Sequence, residues 1–168
     1  MAERAGVSAQ TVYTGFGTKA GLFTRVFDVA IVGDDEDVPL AGRPWLRKVM
    51  AATSLGAAID AYAAGCRETY DRYGPLYPVL LAAAAVDPGV ARYHRTNVID
   101  NRHMGVSRVV GRWKSERWLR RGLAADDTAD VVWTLCSPET YVALVLERGW
   151  TSKAYEKWLA RLLVGALT

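Results

Sequence analysis

The sequence has few of the residues that make metal centres, disulfide scaffolds or membrane spans. Its only cysteines are Cys66 and Cys136. Each falls in a run that reads as helix, with no second Cys or His at metal-ligand spacing, so both read as reduced, buried thiols of a cytoplasmic protein. The only histidines, His94 and His103, stand nine apart rather than three or four. No Ser/His/Asp or Cys/His set can be paired, and no Gly-rich phosphate loop follows a strand, so the sequence gives no support for an enzyme, a metal or a cofactor. The most apolar run, "VLLAAAAV" at 79–86, is short of the roughly 20 residues that cross a bilayer. No basic stretch followed by an apolar one opens the chain, so no membrane attachment or export is expected. A strong charge excess is missing as well. With 21 basic against 18 acidic side chains the net charge is +3, which does not by itself announce a nucleic-acid binder.

Alternation of apolar and polar residues is also lacking, while apolar residues recur every three or four positions almost throughout, so the expected fold class is all-α. The run "KAGLFTRVFDVAIVG" predicts a helix over 19–32, with Thr18 as its N-cap and Leu22, Phe23, Val26, Phe27 and Ala30 on one face. The stretch "GDDEDVPLAGRP", 33–44, breaks the pattern and reads as a linker. A helix over 54–73 carries Leu55, Ile59, Tyr62, Cys66, Tyr70 and Tyr73 and ends at Gly74 and Pro75. A shorter helix follows over 76–86, then one long helix over 90–117. Between Arg92 and Arg121 nine basic residues face only Asp100 and Glu116. Two helices over 125–148 and 152–166 close the chain. Pro138 should make the first kink or restart with Ser137 as cap, and Ser152 should cap the second.

The first residues carry the most specific pattern. In "AERAGVSAQTVYTGFGTK", 2–19, Ala2 to Ala5 can close a helical turn, Gly6 supplies a left-handed bend, and Ser8 can cap a second helix over 8–15. Val12 and Phe16, four apart, should pack inward, leaving small and hydrogen-bonding side chains on the outside. A helix that reads base edges in the major groove needs such a surface at its N-terminal end.

The string "AGVSAQTVYTGFGTKAGLF" closely resembles the helix-turn-helix signature of tetracycline-repressor-like (TetR) transcriptional regulators. About twenty residues carry the resemblance. It implies that Ser8 caps the recognition helix and that Gln10 reads a base through its amide. Thr11 and Tyr13 would hold phosphates by their hydroxyls, and Lys19 would meet another at the start of the next helix. Gly15 stands where a longer side chain is common in the family. A complete first helix and most of a second precede this motif in the family, whereas five residues precede Gly6 here. The chain is therefore expected to start inside the reading head. Residues 1–44 hold four basic against six acidic side chains, a balance of −2, the wrong sign for phosphate binding.

The resemblance further implies a partial DNA-binding head over 1–44 and a helical effector-binding and dimerisation domain over 45–168. The partners expected are operator DNA, a small-molecule effector and a second copy of the chain. The apolar stripe of Tyr155, Trp158, Leu159 and Leu162 fits a dimer interface, the alternative being the core of one chain. Tyr62, Cys66, Tyr70, Tyr77, Arg102, His103, Trp113, Trp133 and Tyr141 could line an effector cavity, or fill core and surface positions. An inward Arg102 or His103 needs a partner, either a carboxylate such as Asp100 or Asp130 or an acidic ligand. The expected function is a ligand-responsive regulator, in this family most often a repressor. The alternative is a helical ligand-binding or interaction dimer that does not hold DNA.

Overall fold

The computed structural model describes residue 6, residues 8–33 and residues 43–168. Among these residues the chain is all-helical, with no strand. The proposed Ala2–Ala5 turn and most of the 33–44 linker lie outside the described residues, as do the side chains of Val12 and Tyr13.

Gly6 takes a φ of 66°, a left-handed conformation open to glycine, ahead of helix α1, Ala9–Phe16. Ser8 caps that helix, its Oγ accepting from the Thr11 amide at 3.0 Å. Phe16 was expected to pack inward but is 43% exposed. Helix α2, Lys19–Val32, begins at Thr18, whose hydroxyl accepts from the Gly21 amide at 2.9 Å. It stops at Gly33, with φ 99°. The Arg72 side chain lies against that glycine and donates to the Ala30 and Ile31 carbonyls at 3.1 and 3.2 Å. A cation thus satisfies the unpaired acceptors at the negative end of α2.

Helix α3, Pro44–Ala51, arises where the sequence pattern indicates only the end of a linker. Pro44 begins it, at the position where a missing amide hydrogen costs nothing. Helix α4, Leu55–Tyr73, is capped by Ser54 and buries Leu55, Ala58, Ile59, Tyr62, Ala63, Cys66, Tyr70 and Tyr73. It packs against α2 and α3 and against the last helix, α10, Ser152–Leu167. Close approach of α3 depends on Gly65, because a Cβ there would fall 2.3 Å from Trp45 Cε3.

A 3₁₀ turn, Gly74–Leu76, leads into α5, Tyr77–Ala84. The expected long helix is present but not uniform. It starts as α6, Pro88–Tyr93, where Asp87 Oδ1 accepts from the Gly89 and Val90 amides, and widens into a π-helical stretch, His94–Asp100. It then continues as α7, Asn101–Ser115. The break at Pro138 also occurs. Helix α8, Ala125–Leu135, ends, Ser137 Oγ accepts from the Thr140 amide, and α9, Pro138–Tyr141, restarts and widens over Val142–Glu147. The cap of α10 is Thr151 rather than Ser152, its hydroxyl accepting from the Ala154 amide at 3.1 Å. Tyr155, Leu159, Leu163 and Leu167 of α10 are essentially inaccessible within one chain.

Polar ties run between the packed helices. Arg67 on α4 donates to Glu156 on α10 at 2.5 Å and to Asp71 at 2.8 Å, and Lys153 reaches Glu156 at 3.0 Å. Burial alone would raise the Glu156 pKa, but Lys153 and Arg67 together hold it below its ordinary value. A carboxyl depressed in the folded state adds stability above its unfolded pKa of about 4.3 and loses it as pH falls through the folded value. Acidification below about pH 4.3 should therefore lower the melting temperature, and Glu156→Gln should reduce that dependence. Gly65→Ala should destabilise by roughly 1–3 kcal/mol in denaturant titrations, because overpacking against Trp45 outweighs the gain in helix propensity.

Candidate functional site

A cavity of about 170 Å³ lies between α2, α3, α4 and the α6–α7 arm. Ile31 of α2 and Trp45 and Leu46 of α3 form one part of its wall, and Tyr62, Cys66, Thr69, Tyr70 and Tyr73 of α4 another. On the long helix Asn97, Val98, Asn101, Arg102, Gly105, Val106 and Val109 face it, two adjacent columns stepping by four residues. Cys136 and Pro138 complete the lining. The lining contains no Asp or Glu.

Of the residues the sequence pointed to, Tyr62, Cys66, Tyr70 and Arg102 meet in this cavity. The other five lie elsewhere. Tyr77 is turned away, its hydroxyl donating to Glu139, and Tyr141 donates to Asp71 at 2.7 Å. Trp113 is fully buried behind Tyr62, with ring centroids 6.0 Å apart. His103 pairs with Asp130 at 2.7 Å and, with Trp133, borders a separate surface recess. Trp45, Thr69, Tyr73 and Asn97 were not anticipated. The glycines Gly65 and Gly105, each inside a helix where glycine is unfavourable, carried a signal that periodicity alone does not read.

Arg102 is the only charged side chain in the lining. Its Nε donates to the Val98 carbonyl at 3.2 Å, and its Nη1 to the Trp133 and Cys136 carbonyls at 2.7 and 3.3 Å. Those last two acceptors stand at the C-terminal end of α8, where unpaired carbonyls and the helix dipole favour a cation. The guanidinium also lies over the Trp133 ring, 4.3 Å from its centroid. Among the described residues it forms no salt bridge with a carboxylate, and Nη2 has no hydrogen bond. Of the two carboxylates considered from sequence, Asp130 pairs with His103 and Asp100 with Arg95.

The cavity hydroxyls are neutral donors. Burial pushes the Tyr62, Tyr70 and Tyr73 pKa values up. Tyr70 donates to the Cys136 carbonyl at 2.5 Å, whereas among the described residues the buried Tyr73 hydroxyl and that of Tyr62 have no partner. The Cys136 thiol is also raised by burial and by its neighbour Cys66. Both cysteines are free.

At the other end of α2, Ser8, Gln10, Thr11 and Lys19 are exposed. Ser8 and Thr11 share a hydrogen bond at 2.8 Å, and Gln10 has no side-chain partner among the described residues. Of the interface candidates on α10, Tyr155 and Leu159 are core residues with no accessible surface, which removes them from any contact with a second copy. Trp158 and Leu162 remain half-buried. No group of His, Cys, Asp and Glu able to hold a metal occurs among the described residues, and no described helix is long and apolar enough to cross a membrane. No family model, curated protein or solved structure matches the chain.

The carbonyls held by Arg102 give it a structural weight distinct from the exposed arginines of the same helix. Arg102→Ala should destabilise by roughly 2–3 kcal/mol. Exposed Arg108→Ala should stay within about 0.5 kcal/mol, both read by urea denaturation.

Proposed function

We propose that the chain is a ligand-responsive transcriptional regulator of the TetR type, acting as a repressor that binds operator DNA as a dimer. The observation that carries this reading is that one helix joins both candidate sites: the C-terminal turn of α2 gives Ile31 to the cavity wall, and its N-terminus presents Lys19 beside α1. Two further ties fix α2 to the helical body. Arg72 of α4 holds the Ala30 and Ile31 carbonyls, and Tyr93 of α6 donates to Asp28 at 2.7 Å.

In this reading Ser8 caps the recognition helix, Gln10 reads a base, and Thr11, Tyr13 and Lys19 hold phosphates. A ligand in the cavity would favour one placement of α2 over another. It shifts that balance only by its difference in affinity for the two placements. Trp158 and Leu162, with the exposed Leu146 and Val164, are the apolar surface from which a dimer contact would be made.

A second reading, a helical ligand-binding dimer that does not hold DNA, is favoured by the −2 charge balance of residues 1–44. Selection of DNA from a random pool, followed by a salt titration of the selected sequence, separates the two. For the regulator, affinity falls steeply with salt, Gln10→Ala costs about 1–3 kcal/mol at one base pair, and Lys19→Ala lowers the salt slope by about one. If no sequence is enriched, the second reading replaces the first.

A further inference from the structure

The two helical glycines of the cavity behave in opposite ways. At Gly65 the space a side chain would take is already filled by Trp45. At Gly105, in the second turn of α7 and within the cavity-facing column, a Cβ would meet nothing within 4 Å. Glycine inside a helix is unfavourable relative to alanine, and no described residue packs into the room it leaves. That room is an open seat on the wall of a cavity that Tyr62, Tyr70, Tyr73 and Trp45 also line.

The size of the cavity limits what can occupy it. A dry apolar cavity of about 150 Å³ takes benzene. At about 170 Å³ the present cavity admits one ring with a small substituent.

Its charge defines that substituent. The lining's ionisable groups other than Arg102 are Tyr and Cys, and burial favours the neutral form of Tyr62, Tyr70, Tyr73 and Cys136. Arg102 brings a positive charge that no carboxylate offsets and a free Nη2 donor. The partnerless hydroxyls of Tyr62 and Tyr73 add two neutral donors. A half-buried guanidinium among apolar walls is best matched by an anion that accepts its remaining hydrogen bond.

From these observations we infer that the cavity is a binding site for a small planar aromatic carboxylate, its ring seated against Gly105 and its carboxylate directed to Arg102. The inference rests on the ligand-responsive reading in that it names the effector class, but binding itself does not depend on DNA.

Three probes on the unmodified chain test it by calorimetry: benzoate, methyl benzoate with the same ring and no charge, and cyclohexanecarboxylate with the charge and no flat ring. Benzoate should bind at least about tenfold more tightly than either, the size expected for one charge-assisted hydrogen bond and for the loss of ring stacking. Because Arg102 variants also disturb α8, the protein side is tested at Gly105. Gly105→Ala should raise the melting temperature by adding helix propensity. Gly105→Leu should fold and weaken benzoate at least about tenfold by filling the seat. The assignment is overturned if no probe binds, if methyl benzoate or cyclohexanecarboxylate matches benzoate, or if folded Gly105→Leu binds benzoate as the parent chain does. Benzoate binding that leaves DNA affinity unchanged would refute the regulator reading while supporting the ligand class.

Discussion

The structure depends on the burial of α4. A helix enclosed along most of its length must meet a neighbour on several sides, and α4 does so with α2, α3 and α10. Its own hydrogen bonds satisfy its backbone, so what remains is a matter of shape. Gly65 admits Trp45, Ile59 and Ala63 are covered completely, and Arg67 ties the more open side to Glu156. The cavity is the place where this close packing stops. It opens between α4 and α7 because Gly105 carries no side chain to fill the gap, and because Arg102 is drawn toward the carbonyls of α8.

That incompleteness gives the cavity its mechanical reach. Its walls come from five separate parts of the chain, among them the last turn of α2, and the same turn is held by Arg72 from α4. A molecule that fills the space presses on elements already bonded to one another. Packed interiors are not readily compressed, so in the proposed reading a change at Ile31 would be passed along α2 rather than absorbed locally. The short α1 is attached to the far end of that helix, with Gly21 close under the Phe16 carbonyl.

The all-helical character and most helix bounds could be read from periodicity and caps. Thr18 and Gly33 delimit α2 where the sequence predicted, and Ser137 restarts the chain at Pro138. Helix α3 was missed because Pro44 reads as the end of a linker, although proline is equally at home in a first helical turn. The stripe on α10 was visible, but its division was not. Spacing alone cannot say that Tyr155 and Leu159 face α4 while Trp158 and Leu162 stay half-buried. For the cavity, Tyr62, Cys66, Tyr70 and Arg102 were legible as aromatic and polar groups on helices that could converge. Tyr77 and Tyr141 were misplaced because their hydroxyls are claimed by Glu139 and Asp71, partners remote in sequence. The glycines mattered for the space they leave, which depends on what packs opposite them.

The central claim, that the cavity and α1 communicate through α2, is tested most directly by amide hydrogen exchange across residues 19–32 with the cavity empty and with it filled by Gly105→Leu. The account predicts altered protection in α2, strongest near Ile31 and extending toward Lys19. Unchanged protection throughout α2, in a variant whose fold and stability are retained, would contradict it.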